Sequence, residues 1–178
     1  MRFRFVTPSF IIAVALAASA HAAPQKETSR DWTASLAEVN TGEDLRKTCS
    51  AWTTAKDMAG KDWTLELAIS NGDALPPDAY PQLGIAAADG LPKGENQSAS
   101  FDFGDRKIEA KASGDGKTAM VDNAKEKSLA LLKAFAAGDK LAVTLAGKPA
   151  ASFSLAGFTA SYRKLGQWCG FPTTDVAK

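Results

Sequence analysis

The chain has 178 residues, and its 21 Lys and Arg residues nearly balance its 20 Asp and Glu residues. It contains no basic block, so it lacks the concentrated positive patch that nucleic-acid binding normally needs. We therefore expect no nucleic acid among its partners.

The first segment has the pattern of a signal peptide. Arg2 and Arg4 precede an apolar run from Phe5 to Leu16, and the small residues at 20 and 22 fit a cleavage site. The apolar run is shorter than the ~20 residues that span a bilayer, and no later segment is apolar enough. We therefore expect no transmembrane segment after signal cleavage.

Cleavage after Ala22 defines the expected domain organisation. Residues 1–22 are predicted to be a signal peptide, and residues 23–178 a single globular domain that is periplasmic or secreted. Cys49 and Cys169 are the two cysteines of the chain. In an exported protein such a pair predicts a disulfide bond, which here would tie the end of the fold to its beginning.

Strand patterns fill most of the predicted domain. Residues 24–30 are polar and are expected to be a flexible N-terminus. Alternation of apolar and polar residues between turn signals then predicts six to nine strands. The candidate strands are 32–37, 47–54, 62–70, 83–87, 98–103, 106–112, 118–121, 141–145 and 151–156. The proline-rich stretch 74–94 is expected to be mostly loop, with its short strand at a sheet edge or in a crossover.

Two helices are predicted among these strands. The first lies near 124–137, where Asn123 and Glu126 have the spacing of a capping box and Gly138 provides the stop. The second lies near 157–168, because apolar residues there recur on one helical face. That face consists of Phe158, Tyr162, Leu165 and Cys169.

Together these elements predict a mainly β (α+β) fold. We expect an antiparallel β-sandwich or a curled sheet with the two helices packed on it. The four tryptophans, Trp32, Trp52, Trp63 and Trp168, are interpreted as residues of the core or its rim, with a binding platform as the alternative.

The residue types argue against most catalytic chemistry. His21 is the single histidine of the chain and lies within the predicted signal peptide, so the mature protein would have no imidazole to act as a base. A Ser-Lys dyad stays formally open. Paired carboxylates are the other option, and the candidates are Glu38, Glu43, Asp44, Glu66 and Glu109.

No metal or cofactor site is expected. Asp102, Asp105 and Glu109 could approach a calcium ion, but they lack the dense oxygen ligands of a calcium loop and are better interpreted as a solvated turn. Zinc is disfavoured because its usual histidine and free cysteine ligands are missing. The segment 113–118 ends like a phosphate-binding loop, but Lys111 stands where that motif needs glycine.

The C-terminal part also resembles a known family. The pattern Phe153-Ser154-Leu155-x-Gly157-Phe158-x-Ala160, followed by Leu165 and Cys169, is similar to the ending of the invasion-associated locus B family. Members are exported bacterial proteins, and some are linked to host-cell invasion. The resemblance brings no catalytic residues, so it implies a function in interaction by family analogy alone.

The resulting hypothesis is a non-enzymatic periplasmic or secreted binding protein. Its partner would be another protein or a cell-envelope component. Two alternatives stay open: a carboxylate-based cell-envelope hydrolase, and an inhibitor of an envelope enzyme that uses a protruding loop such as 74–94.

Overall fold

A computed structural model describes residues 23–40, 42–71 and 79–177. The predicted signal peptide and the first part of the predicted loop 74–94 lie outside the described residues. In chain order the elements are β1 (Gln25–Ser29), β2 (Trp32–Asn40), β3 (Leu45–Lys56), β4 (Asp62–Asn71), β5 (Gln82–Ala87), β6 (Lys93–Asp102), β7 (Lys107–Asp115), β8 (Thr118–Val121), α1 (Lys125–Ala137), β9 (Lys140–Leu145), β10 (Lys148–Ser154) and α2 (Phe158–Cys169).

All the strands belong to one antiparallel sheet. Their order is β1-β2-β3-β4-β5-β8-β7-β6-β9-β10, so most neighbours in space are hairpin partners along the chain. The alternation of side chains places one residue set on the inner face of the sheet and the other towards solvent. The prediction of a mainly β fold with two helices is confirmed, in the form of the curled sheet.

The sheet curls until its two ends approach each other. Strand β10 packs across the interior onto β3 and β4. The indole N–H of Trp32 in β2 donates a hydrogen bond of 3.0 Å to the carbonyl of Ser154 at the end of β10. The backbone N–H of Asp31 likewise donates to the carbonyl of Ala156 at 3.1 Å. These contacts join the two halves of the sheet where the chain enters α2.

The helices cover the inner face of the sheet. Helix α2 packs on β1 to β4 and contacts α1. A chain of aromatic contacts links the layers: the ring of Phe158 lies 5.1 Å from Trp32 and 5.3 Å from Phe135, between ring centroids. All three side chains are fully buried. Burial of such rings is a large hydrophobic contribution and fixes the position of α2.

The segment 24–30 was expected to be flexible, and this expectation is wrong. Residues 25–29 pair with β2 over their whole length, so their polar sequence forms an edge strand through backbone bonds. Glu27 adds a contact with Lys164 of α2 at 2.8 Å. Residues 25–29 are ordered because they pair with β2, and the alternation of apolar and polar residues does not reveal such pairing.

The capping box predicted at Asn123 does not form. The residue before α1 is Ala124, and no side chain caps the helix there. The carboxamide of Asn123 is used elsewhere: its Oδ1 accepts from the Ser128 hydroxyl at 2.6 Å, and its Nδ2 donates to the Tyr80 carbonyl at 3.2 Å. The helix start is therefore tied to the chain that leads into β5.

The strand near 83–87 was expected at a sheet edge or in a crossover, and the edge position is wrong. Strand β5 lies inside the sheet, between β4 and β8. Pro81 precedes the strand by one residue, so its missing N–H removes no bond from the ladder.

Candidate functional site

The two predicted disulfide residues are joined in the structure. Cys49 in the middle of β3 and Cys169 at the end of α2 form a disulfide with a Cα–Cα distance of 6.2 Å. Both residues are buried. The bond pins the end of α2 to the inner face of the sheet and closes a loop across 120 positions of sequence.

The candidate carboxylates lie on β2, β4, β7 and the segment before β3. Glu38 forms an ion pair with Lys47 at 3.3 Å, and Glu43 and Asp44 are exposed before β3. Glu66 lies on β4 and Glu109 on β7, with β5 and β8 between those strands. Three strand spacings amount to about 14 Å, which exceeds the roughly 5–9.5 Å between the carboxyl groups of glycosidases.

The residues considered for calcium each have another partner. Asp102 accepts the N–H of Gly104 at 2.8 Å. Asp105 pairs with Arg106 at 2.9 Å, which lowers the pKa of its carboxyl group through the hydrogen bond. Glu109 pairs with Lys107 at 3.1 Å. Within the described ranges no group of three or more His, Cys, Asp or Glu side chains is placed to hold a metal ion.

The four tryptophans do not form a common platform. Trp32 is buried in the core. Trp52 lies on the outer face of β3 with the Lys26 ammonium 5.7 Å from its ring centroid, and Trp168 has the Lys164 ammonium at 5.6 Å. Trp63, at the start of β4, lines an open groove.

This groove lies where several hairpins turn. Because the strands are antiparallel, the β3–β4, β5–β6, β7–β8 and β9–β10 connections all lie at the same end of the sheet. Between them is a groove of about 570 Å³, which we call the rim groove. Its apolar lining consists of Trp63, Leu91, Pro92, Leu145 and Pro149.

Charged groups surround this apolar lining. Asp89 forms an ion pair with Lys61, and the hydrogen bond that the Lys61 ammonium donates to this carboxylate raises the pKa of Lys61. Lys93 and Lys148 also line the groove and form no ion pair within the described part of the chain. The side chain of Lys93 runs across Gly116, where an added Cβ would meet it at 2.6 Å.

The tip of the β3–β4 hairpin, residues 57–61, lies beside the groove and is held in one shape by Asp57. One carboxylate oxygen accepts the N–H groups of Ala59 at 2.8 Å and Lys61 at 3.0 Å. The other accepts the indole N–H of Trp63 at 3.2 Å. The hydrogen bond from Lys61 is the main cause of the lowered pKa of Asp57, followed by that from Trp63.

The side chain presented by this ordered turn is Met58, which is fully exposed. Burying a large apolar side chain is favourable, so an ordered turn that exposes one is suited to contact with a partner.

Two contacts attach the hairpin tip to the wall of the groove. Asp57 bonds to Trp63, and Lys61 pairs with Asp89; Trp63 and Asp89 are both groove residues. The hairpin tip, which carries Met58, therefore adjoins the groove, and we call the tip and the groove together the hairpin-end face.

Sequence reasoning did not identify this face. Residues 56–61 fall between the candidate strands 47–54 and 62–70, and their sequence predicted no function for Met58. The available signal was the aspartate that opens the turn, since Asp side chains bond to backbone N–H groups two residues further on. The groove lining comes from four separate connections, and only the folded chain brings them together.

Neither helix in the described part of the chain has the length and apolar character needed to cross a membrane. No protein-family model, curated protein or solved structure matches the chain.

Proposed function

We propose that this chain is a non-enzymatic, exported binding protein of the kind that the invasion-associated locus B family represents. It acts in the periplasm or outside the cell and binds a protein or a cell-envelope component through its hairpin-end face. The observation that carries this proposal is the fully exposed Met58 on a turn that Asp57 holds in shape.

The ordered turn favours binding on energetic grounds. Association costs free energy when loops and side chains must become ordered at the interface, and a surface that is already ordered avoids part of that cost. Asp57 provides this order with three hydrogen bonds from Ala59, Lys61 and Trp63. Methionine is also enriched at protein interfaces, and its flexible thioether fits irregular apolar pockets.

The rim groove adds a second contact region beside the tip. Its volume of about 570 Å³ lies within the range of roughly 300–1,000 Å³ that is common for ligand sites. An apolar lining between Lys93 and Lys148 favours a partner segment that combines an apolar side chain with negative charge.

A second candidate function is inhibition of an envelope enzyme. A rigid hairpin with a projecting apolar side chain is a suitable shape for insertion into an active-site cleft. This moves the proposed inhibitory element from the stretch 74–94 to residues 57–61, since part of the former stretch is strand β5 inside the sheet.

Site-specific photo-crosslinking tests the proposal. A photoreactive amino acid is placed at position 58, and in a matched variant at position 120, where Met120 is less than half exposed on β8. Each protein is irradiated with cell-envelope and host-surface fractions. We expect a discrete adduct from position 58 and none from position 120. Equal adducts from both positions, or none from 58, would contradict the proposal.

A further inference from the structure

Met58 and Met120, the methionines that the structure describes, differ in their exposure to solvent. Met58 is fully exposed, whereas Met120 is less than half exposed. The Met120 sulfur packs over Gly84 of the neighbouring strand, 3.4 Å from where a Cβ on that residue would stand. Met1 lies in the predicted signal peptide.

We infer that Met58 is a site of reversible oxidation to methionine sulfoxide, and that this modification regulates the hairpin-end face. The regulatory half of the inference rests on the proposed function. The site itself rests on exposure, because access to the sulfur governs how readily a methionine is oxidised.

The reaction needs a peroxide as its oxidant. The sulfur lone pair attacks one oxygen of hydrogen peroxide, so that an S–O bond forms and the O–O bond breaks. The leaving hydroxide takes up the remaining proton of that oxygen and becomes water. The thioether is oxidised to the sulfoxide, and the peroxide is reduced. Methionine sulfoxide reductases reverse the change.

The fold is arranged to tolerate this change. The Asp57 carboxylate accepts the hydrogen bonds that shape the turn from the backbone N–H groups of Ala59 and Lys61 and from the indole of Trp63, and none of these bonds involves Met58. Since the Met58 side chain is fully exposed, adding an oxygen to its sulfur disturbs no packing. Oxidation therefore changes the chemistry of the surface while the turn keeps its shape.

Oxidation of Met58 weakens binding to an apolar pocket. A sulfoxide is polar, so it enters an apolar pocket less favourably than a thioether does. A partner that accommodates Met58 in such a pocket would be released by oxidation and rebound after reduction.

A peroxide time course on the mature, disulfide-bonded protein tests the site. Peptide mass spectrometry follows the gain of one oxygen at each methionine. We expect Met58 to be oxidised several-fold faster than Met120, with no change in melting temperature. Equal rates at the two positions, or a loss of thermal stability that accompanies Met58 oxidation, would overturn the assignment.

The regulatory half is tested with a crosslinker at Pro92 in the rim groove, which leaves Met58 in place. Peroxide should abolish the adduct in this protein but not in the same protein with Met58→Leu, which keeps an apolar side chain without sulfur. An adduct that survives selective Met58 oxidation would overturn regulation. If no adduct forms before peroxide treatment, both the proposed function and the regulation are wrong. The oxidation rate of Met58 relative to Met120 still tests whether Met58 is the site of oxidation.

Discussion

The disulfide region and the hairpin-end face are held together in different ways. Around Cys49 and Cys169, a covalent bond and buried rings fix α2 to the sheet. At the hairpin-end face, the partly exposed carboxylate of Asp57 and the surface ion pair of Lys61 with Asp89 hold the turn in shape. The first region stabilises the whole fold, and the second shapes a surface. Substitutions in the two regions should therefore have separable effects.

The largest effect is expected from loss of the disulfide. Cys49→Ser with Cys169→Ser reopens a long loop in the unfolded chain, and the chain-entropy description puts the loss at about 5 kcal/mol as an upper value. Melting curves with and without reductant measure it. An unchanged melting temperature in the variant would show that the bond does not stabilise the fold.

The next largest effect is expected at the junction of the two sheet ends. Gly157 has a φ of +97°, and a Cβ there would overlap the carbonyl oxygen of Ser29. Gly157→Ala should therefore lower the free energy of unfolding by about 2–4 kcal/mol, from backbone strain plus the overlap.

Gly170→Ala is the matched control for this junction. Gly170 has a φ of +74° with no atom within 4 Å of an added Cβ. Gly170→Ala should therefore lower the free energy of unfolding only through backbone strain, by about 1 kcal/mol. Chemical denaturation of both variants measures the difference. Equal losses would mean that the approach of β1 to the start of α2 contributes nothing.

A smaller effect of opposite sign is expected at Tyr162 on α2. Its hydroxyl is buried and has no hydrogen-bond partner among the described residues. Tyr162→Phe removes this unsatisfied group and keeps the ring, so stability should stay constant or rise by about 1 kcal/mol. A clear loss of stability at neutral pH would reveal a hydrogen bond to that hydroxyl.

Alkaline pH provides a second comparison of the parent protein with Tyr162→Phe. Burial, followed by the charges of Asp175 and Tyr80, raises the pKa of Tyr162 above its ordinary value of 10.0. The unfolded chain therefore releases this proton first, and stability falls as the pH rises above 10.0 towards the folded pKa. The Phe variant should show a shallower decline in melting temperature over this window than the parent protein.

The smallest global effect is expected at Asp57. Asp57→Ala should leave the melting temperature unchanged but speed amide hydrogen exchange at Ala59 and Lys61, whose N–H groups lose their acceptor. The hydrogen bonds depress the folded pKa of Asp57 below 3.8. The local stability that Asp57 gives the turn is therefore present above pH 3.8 and is lost as the pH falls through the folded pKa. Exchange at these two amides that is equally slow in the variant would contradict the role assigned to this carboxylate.

The sequence predicted the disulfide region better than the hairpin-end face, for physical reasons. Leu65, Leu67 and Ile69 alternate with other residues because one face of β4 is buried, and burial produces a recognisable residue pattern. The face of α2 that meets the core produces a similar pattern. Local patterns of this kind were sufficient to place both helices and most of the strands.

Features that depend on contacts with other parts of the fold produced no such residue pattern. Residues 25–29 are polar and become a strand through the backbone of β2. Asn123 has the spacing of a cap, yet Ser128 and Tyr80 take its side chain. Met58 stands in a polar turn whose shape depends on Asp57. For residues 25–29 and Asn123, contacts with β2 and Tyr80 decide the outcome, and no short window of sequence contains them. The turn at Met58 is shaped locally, and only its place beside the groove depends on the folded chain.

The most direct test asks whether the hairpin tip and the rim groove act as one binding surface. The measurement is the yield of the adduct from a photoreactive residue at Pro92, compared between the parent protein, Met58→Asp and the control Met120→Asp. We expect a strong loss of the adduct in Met58→Asp alone, with the melting temperature unchanged. An undiminished adduct in folded Met58→Asp protein would contradict the account.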